Sequence, residues 1–452
     1  MFDRVLIANR GEIAVRVART CQELGIEVVA VHSTADRESA VVTMADHTVQ
    51  IGPPAAKRSY LNAAAIIEAA LRSGADAIHP GYGLLSEDAD FAEACALNGI
   101  TFIGPPPTVM ARLGDKVTAR AALSEAGLPM LPGSLRALSS ADEAKGVADE
   151  IGYPVIIKAS AGGGGRAMQV VSQAGEFVQH YRETRAAAQA LFGDSRVYVE
   201  RYLESARHVE VQILCDRHGT ALHLGERDCS VQRRHQKLVE EAPAPGLPVE
   251  LTQRMCEAAV RGALAAGYVG VGTFEFLVDT EGRPYFMEVN CRIQVEHPVT
   301  EMITGLDLVA EQLRVAAGEP LALRQAEIHP RGVSMECRIN AEDPSRGFAP
   351  TPGLLTRFRP PGGPFVRVDT HGYAGYRVPA AYDSLLAKLV VWAPDRPSAL
   401  ARMRRALAEF DIAGPGMHTT AEFLEQVVTH PLFVAAKHDT SLLDELHTET
   451  TL

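Results

Sequence analysis

Cysteine is sparse in this chain and shows no pairing. The seven residues (Cys21, Cys95, Cys215, Cys229, Cys256, Cys291 and Cys337) are scattered and form no Cys-x-x-Cys pair. An odd, dispersed set argues against a disulfide frame or a zinc site, and for reduced thiols in a cytoplasmic setting. Long apolar runs are also missing. None reaches the roughly 18 residues of a membrane span, and Met1-Phe2-Asp3-Arg4 does not read as a signal-peptide start. No membrane partner is expected. Positive charge is not in excess: the net charge of −12 argues against a general nucleic-acid binder, though a local basic pocket is compatible with it. Two nucleotide signatures are absent as well. No Gly-Lys-Ser/Thr follows the glycine-rich run, which excludes a Walker loop. The first βα turn, Asn9-Arg10-Gly11-Glu12, has one glycine where a dinucleotide fingerprint needs three, which excludes NAD.

What is present is ordinary globular composition, 46% hydrophobic and 22% charged, over 452 residues. That length allows about three domains. The N-terminal part alternates strands (5–8, 27–31, 76–78, 101–103) with helices (12–24, 60–72, 91–97), a βαβ sheet covered on its faces. Gly104-Pro105-Pro106-Pro107 is expected to mark a domain boundary. After a helix over 118–125 comes a smaller unit, 132–203, with strands at 155–158, 169–171 and 196–200 and a helix over 176–190. Strands 274–277 and 285–290 and a helix over 307–317 follow, then a Pro/Gly-rich stretch, 348–364, and a final strand and helix segment.

The most informative segment runs from Glu288 to Glu296. Glu288, Asn290, Arg292, Gln294 and Glu296 alternate with Val289, Cys291, Ile293 and Val295. On an extended chain the polar set shares one face, where carboxylates, a carboxamide and a guanidinium can hold a metal and an anion together. A solvated edge strand would show the same alternation. Fully extended, the run would span about 26 Å, too far for one compact site. The strand is therefore expected to end near Asn290, with a bend before Pro298. Glu275, in an aromatic strand pattern, precedes Glu288 by a turn at 279–282. An antiparallel pair would bring both carboxylates together, with Asn290 adding a carbonyl oxygen, a donor set suited to Mg²⁺ beside phosphates. Lys158 ends a strand before Gly162–Gly165. The glycine run reads either as a plain flexible turn or as a flexible hairpin lid whose N–H groups approach phosphate, the reading that Lys158 and Lys116 upstream favour. Gln232 to Lys237 is a dense polar run, either a solvated basic face or an anion-handling loop using His235 and Lys237.

Taken together these runs resemble biotin carboxylase, an ATP-grasp enzyme. The matching segments are 6–13 (LIANRGEI), 79–86 (HPGYGLLS), 114–116 (GDK), 232–245 (QRRHQKLVEEAPAP), 292–306 (RIQVEHPVTEMITGL), 336–344 (ECRINAEDP) and 382–385 (YDSL). The resemblance implies an α/β and α+β architecture in three parts. These are an N-terminal βαβ (pre-ATP-grasp) domain, 1–114; an ATP-grasp domain, 115–327, with a mobile glycine-rich lid, 132–203; and a C-terminal α+β domain, 328–446.

It implies that Lys116, Lys158, Gly164, Gly165 and His208 contact ATP. Glu200, Arg201 and Leu203 would serve the adenine pocket, with Gln232 and His235 near the ribose and phosphates. Glu275, Glu288 and Asn290 would bind Mg²⁺ or Mn²⁺. Lys237, Arg292, Gln294 and the Val295 backbone would hold bicarbonate. Glu296 would be the general base, Arg338 would stabilise deprotonated biotin, and Tyr82 would border the biotin pocket.

Ala161 and Ala167 stand where the family often has glycine, Arg201 replaces its lysine, and Cys291 its threonine. No Ala-Met-Lys-Met attachment sequence occurs. Biotin is therefore expected on a separate biotin carboxyl carrier protein, with carboxyltransferase subunits as further partners and a homodimer as the family's tendency. Acetyl-CoA carboxylase is the leading parent complex; propionyl-CoA, pyruvate and other carboxylases remain alternatives. So do a different ATP-grasp ligase acting on an amine, and a silent regulatory subunit.

Overall fold

The computed structural model describes residues 1–162 and 165–450. Strands β1 (Arg4–Ile7), β2 (Glu27–Ser33), β3 (His47–Gly52), β4 (Ala77–His79) and β5 (Thr101–Phe102) form a parallel sheet in the order β3-β2-β1-β4-β5. The chain order reverses between β1 and β4, and ligand crevices open at the carboxyl ends of strands around such a switch point. The two loops there are tied together. The Asn9 carboxamide donates to the carbonyls of Pro80 and Tyr82 at 2.7 and 2.8 Å.

The second helix expected from the sequence begins later than its apolar pattern suggests. It spans Ala63–Ser73 because Asn62 caps it, accepting from the Ala65 N–H at 3.2 Å. Tyr60 instead drops its ring into the core and donates to Asp36 at 2.7 Å.

The lid has its own small sheet, β6 (Val155–Ala159), β7 (Met168–Val171) and β8 (Val197–Arg201), all antiparallel. Helices Ala141–Ile151 and Phe177–Phe192 pack against it over Val155, Ile157, Phe177 and Tyr181. The larger sheet has eight strands. β9 (Arg207–Cys215), β10 (Ala221–Arg233), β11 (Gln236–Ala242), β12 (Gly270–Val278), β13 (Pro284–Asn290) and β14 (Val333–Asn340) run in the order β13-β12-β9-β10-β11-β14. Leu385–Ala393 and Val366–Thr370 complete it on the far edge. The hydrogen-bonded ladder thus runs from the ATP-grasp strands into the C-terminal domain without a break. All seven cysteines are buried and unbonded to one another. Among the described residues, no helix is long and apolar enough to cross a membrane.

Candidate active site

A cleft of about 1620 Å³ lies where the switch point, the lid and the large sheet meet. The β12–β13 hairpin supplies its acidic wall. Its register places Glu275 directly opposite Glu288, while Phe274, Phe276 and Phe286 pack their rings on the reverse face. The strand ends at Asn290 as expected, and the chain turns before the helix His297–Thr304.

The two opposed carboxylates answer to different cations. Glu288 meets Lys116 at 2.7 Å, and Glu275 meets Lys237 at 3.0 Å and His208 at 3.2 Å. Lys116 is delivered by the first turn of the helix Lys116–Glu125, which Asp115 caps by accepting from the Thr118 N–H. The Gln232 amide lies 2.6 Å from the other nitrogen of His208. Asn290 donates to Glu275 at 2.9 Å, so Glu275, Glu288 and Asn290 form one oxygen-rich edge. The ammonium groups now on it mark where positive charge belongs, and a hard divalent cation fits that donor set. His208, Glu210 and Glu275 offer a second buried set of ligand atoms within 4.8 Å of one another.

Lys237 is the hub. Its ammonium contacts Glu210 at 2.5 Å, Glu296 at 2.6 Å, Glu275 at 3.0 Å and Gln294 at 3.1 Å. The other oxygen of Glu296 accepts from Arg338 at 2.8 Å. Arg292 lies alongside, donating to Glu87 at 3.0 Å and to Asn290 at 3.2 Å. The Val295 carbonyl accepts from the buried Lys388 ammonium at 2.9 Å, which fixes the backbone of this turn. Tyr82 closes one side, its hydroxyl donating to Glu12.

Burial would raise the Glu296 carboxyl, but Lys237, Arg338 and Arg227 outweigh it and hold the group well below the usual carboxylate range. Burial would likewise deprotonate Lys237, yet Glu210, Glu275 and Glu296 keep it charged far above its ordinary value.

Every described residue of the expected site lines this cleft except Glu200. Its carboxylate turns inward, sandwiched between Lys158 at 2.8 Å and Arg120, and is buried. It holds the lysine in place, while Arg201 and Leu203 face the cleft. Gly164 lies outside the described residues.

His235 sits at the tip of the β10–β11 hairpin. Arg234 and His235 both have positive φ, 47° and 64°, the backbone of a two-residue turn that usually takes Asn-Gly. The tip meets the lid at Gly165: a Cβ built there would lie 2.3 Å from the His235 ring. Ala167, where the family often has glycine, keeps a positive φ of 52°.

Sequence reading missed Glu210, Arg227 and Glu87. Glu210 carried a signal, since His208, Glu210 and Gln212 alternate with Val209, Val211 and Ile213 as the polar set does after Glu288. Arg227 is fully buried and bonds Glu210 and Gln212, each at 2.7 Å. Glu87 joins the site only through folding, bonding the Cys291 N–H at 2.8 Å.

The chain is 52% identical over 446 residues to the biotin carboxylase of Nostoc sp., covering 99% of both proteins. The chain belongs to the biotin carboxylase family. Membership makes it an ATP-dependent carboxylating ligase. The family model for the biotin carboxylase N-terminal domain matches residues 1–110, that for the carbamoyl-phosphate synthase L chain ATP-binding domain matches 115–324, and that for the biotin carboxylase C-terminal domain matches 336–445.

Two solved structures are similar throughout. One is the Campylobacter jejuni biotin carboxylase–β-γ-ATP complex, with a TM-score of 0.96, 47% identity, and 98% of this chain and 99% of that chain covered. The other is the biotin carboxylase domain dimer of Hydrogenobacter thermophilus 2-oxoglutarate carboxylase, in complex with MgADP, ADP and bicarbonate. Its TM-score is 0.95 at 47% identity, with 98% of each chain covered.

Proposed function

We propose that this biotin carboxylase carboxylates biotin on a separate biotin carboxyl carrier protein. ATP and bicarbonate supply the carboxyl group through carboxyphosphate, as the first half-reaction of an acetyl-CoA carboxylase. The observation that carries the chemistry is the grip on Glu296, one oxygen on Lys237 and the other on Arg338.

Bicarbonate is an anion, and it would draw Lys237, Arg292 and Arg338 away from the carboxylates they now neutralise. Freed, Glu296 takes the bicarbonate proton as the oxygen attacks the γ-phosphorus of ATP, releasing ADP. Gln294 and the Val295 backbone orient the anion. A divalent cation held by Glu275, Glu288 and Asn290 supplies charge neutralisation on the phosphates. Lys116, Lys158, His208, Gln232 and His235 hold the nucleotide, Gly164 and Gly165 approach its phosphates, and Arg201 and Leu203 border the adenine. Carboxyphosphate then yields CO2 and phosphate, and the phosphate takes the ureido proton of biotin. Arg338 stabilises the oxyanion that develops, with Tyr82 bordering the pocket, and the ureido nitrogen attacks CO2. Excluding water protects the intermediate, which is the reason for a lid.

The domains run over 1–114, 115–327 with the lid at 132–203, and 328–446. The enzyme works as a homodimer with carboxyltransferase subunits in the cytoplasm. The Hydrogenobacter relative favours a second reading of the parent complex, in which the final acceptor is a 2-oxo acid instead of an acyl-CoA.

The test is ADP release with bicarbonate stripped and restored, with and without free biotin and Mg²⁺ or Mn²⁺. The rate should depend on bicarbonate and metal and rise with biotin; equal rates without bicarbonate would overturn the assignment. Mass spectrometry of the biotinylated protein that co-purifies separates the parent complexes.

A further inference from the structure

Arg338 is anchored from behind as well as in front. Glu240 on β11 faces Glu336 on β14 directly across the antiparallel ladder, and Arg338 stands two residues beyond Glu336 on the same face. The Nε of Arg338 donates to Glu240 at 2.6 Å, while Nη2 reaches Glu296 at 2.8 Å. The guanidinium is thus clamped between two carboxylates. Only one of them lines the cleft: Glu240 is fully buried and lies outside the lining.

An arginine that must let go of Glu296 when an anion arrives needs a second, fixed partner, or its long side chain would swing free. Glu240 is that partner in place: burial pushes its carboxyl up to about 7, against the pull of the Arg338 guanidinium it bonds.

Glu336 differs. It is equally buried, yet neither oxygen has a hydrogen-bond partner. An unpaired buried carboxylate is costly enough that such a group takes up a proton instead. The charged groups around it are Glu240, Arg338, Lys388 and Glu296, and burial outweighs the cations, pushing its carboxyl well above the ordinary range. Lys388 is already engaged by the Val295 carbonyl and by Glu12.

We propose that Glu240 is a positioning residue that acts through Arg338, holding its guanidinium between Glu296 and the biotin pocket, and that its neighbour Glu336 is neutral and takes no part in the clamp. The proposal rests on the reading of Arg338 given above.

The test compares Glu240→Gln, Glu336→Gln, Arg338→Ala and the Glu240→Gln/Arg338→Ala double variant. Biotin carboxylation and bicarbonate-dependent ATP cleavage are measured on each preparation, with melting curves alongside. Glu240→Gln should lose about 10- to 100-fold in carboxylation, as misplacement of a reacting group does, and should shift the ratio of the two activities in the direction Arg338→Ala shifts it. The double variant should fall within about twofold of Arg338→Ala alone, because the two residues work as one. Glu336→Gln, the isostere of a protonated acid, should keep the wild-type ratio.

Losses that multiply in the double variant, or an unchanged ratio in Glu240→Gln, overturn the role of Glu240. A Glu336→Gln ratio shifted as far as that of Glu240→Gln overturns the neutral assignment. If Glu240→Gln does not fold, Glu240→Asp replaces it, keeping the charge but drawing it back, with the same outcomes. Equal loss of both activities in Arg338→Ala would count against the role of Arg338 in biotin chemistry; the non-additivity with Glu240 is judged separately.

Discussion

Glu296 and Arg338 are bonded to each other at 2.8 Å, so the proposed base and the proposed biotin cation occupy one another before substrate arrives. Bicarbonate must break that bond to reach the base. Glu296→Ala should therefore lose bicarbonate-dependent ATP cleavage and biotin carboxylation together, by about 10²- to 10⁴-fold. Arg338→Ala should lose more carboxylation than ATP cleavage and become an uncoupled ATPase. Parallel rate measurements on variants with native circular dichroism decide this. Equal losses in Arg338→Ala would make it a bicarbonate clamp beside Arg292.

Gly165 has a φ of +68° and no room for a Cβ against His235. Gly165→Val adds a β-branched side chain in a left-handed conformation, a strain of about 1–3 kcal/mol. Nucleotide affinity by calorimetry should fall by about tenfold or more. Undiminished affinity would mean that the lid does not close onto the hairpin tip.

Arg227 donates to Glu210, Gln212 and Thr300 at 2.7, 2.7 and 2.9 Å with no exposure to solvent. Arg227→Leu leaves Glu210 half-paired, and breaking a buried ion pair this way costs about 3–5 kcal/mol. Urea denaturation should show the loss. Arg227→Lys should recover little of it, since an ammonium lacks the planar fork.

His79 is fully buried and accepts from the Gly81 N–H at 3.0 Å. Burial is the main cause that lowers it to about 4, with Arg16 adding to the effect. The unfolded chain, with a histidine near 6.5, binds the proton first. Stability contributed by neutral His79 is therefore intact above about pH 6.5 and is lost as the pH falls toward 4, by about 1.4 kcal/mol per pH unit. His79→Asn removes this titration. The stability gap between wild type and variant, measured by urea unfolding at several pH values, should shift in favour of the variant on acidification. Parallel curves would refute the assignment.

Much of the cleft was legible because β-strands expose their chemistry with a period of two. The alternation after Glu288, and the turn between Glu275 and Glu288, carried enough information to pair two carboxylates across a hairpin. What was not legible came from long-range contacts. The strand His47–Gly52 is an edge strand with three of its six residues exposed and only Ile51 buried, so it lacks an apolar signature. Short strands in the Pro/Gly-rich stretch exist only through distant partners: Gly353–Leu354 pairs with Arg377–Val378, and Arg357–Arg359 with Asp411–Ala413. The resemblance assigns Glu200 to the adenine pocket; the ion pair of its carboxylate with buried Arg120, 80 residues away in the chain, had no signal in the sequence. The left-handed Arg234-His235 turn has neither of the residues that normally announce one.

The unbroken eight-stranded ladder has a consequence for how this molecule can be taken apart. Severing the chain between β11 and β14 would strip two interior strands of their partners and bare two long edges at once, which invites sheet-to-sheet association. The lid, which closes its own three-stranded sheet around its own core, opens no such edge when cut at its ends. Chimaeras that exchange specificity between relatives should therefore swap the lid as a cassette. The catalytic sheet and the C-terminal domain behave as one indivisible part.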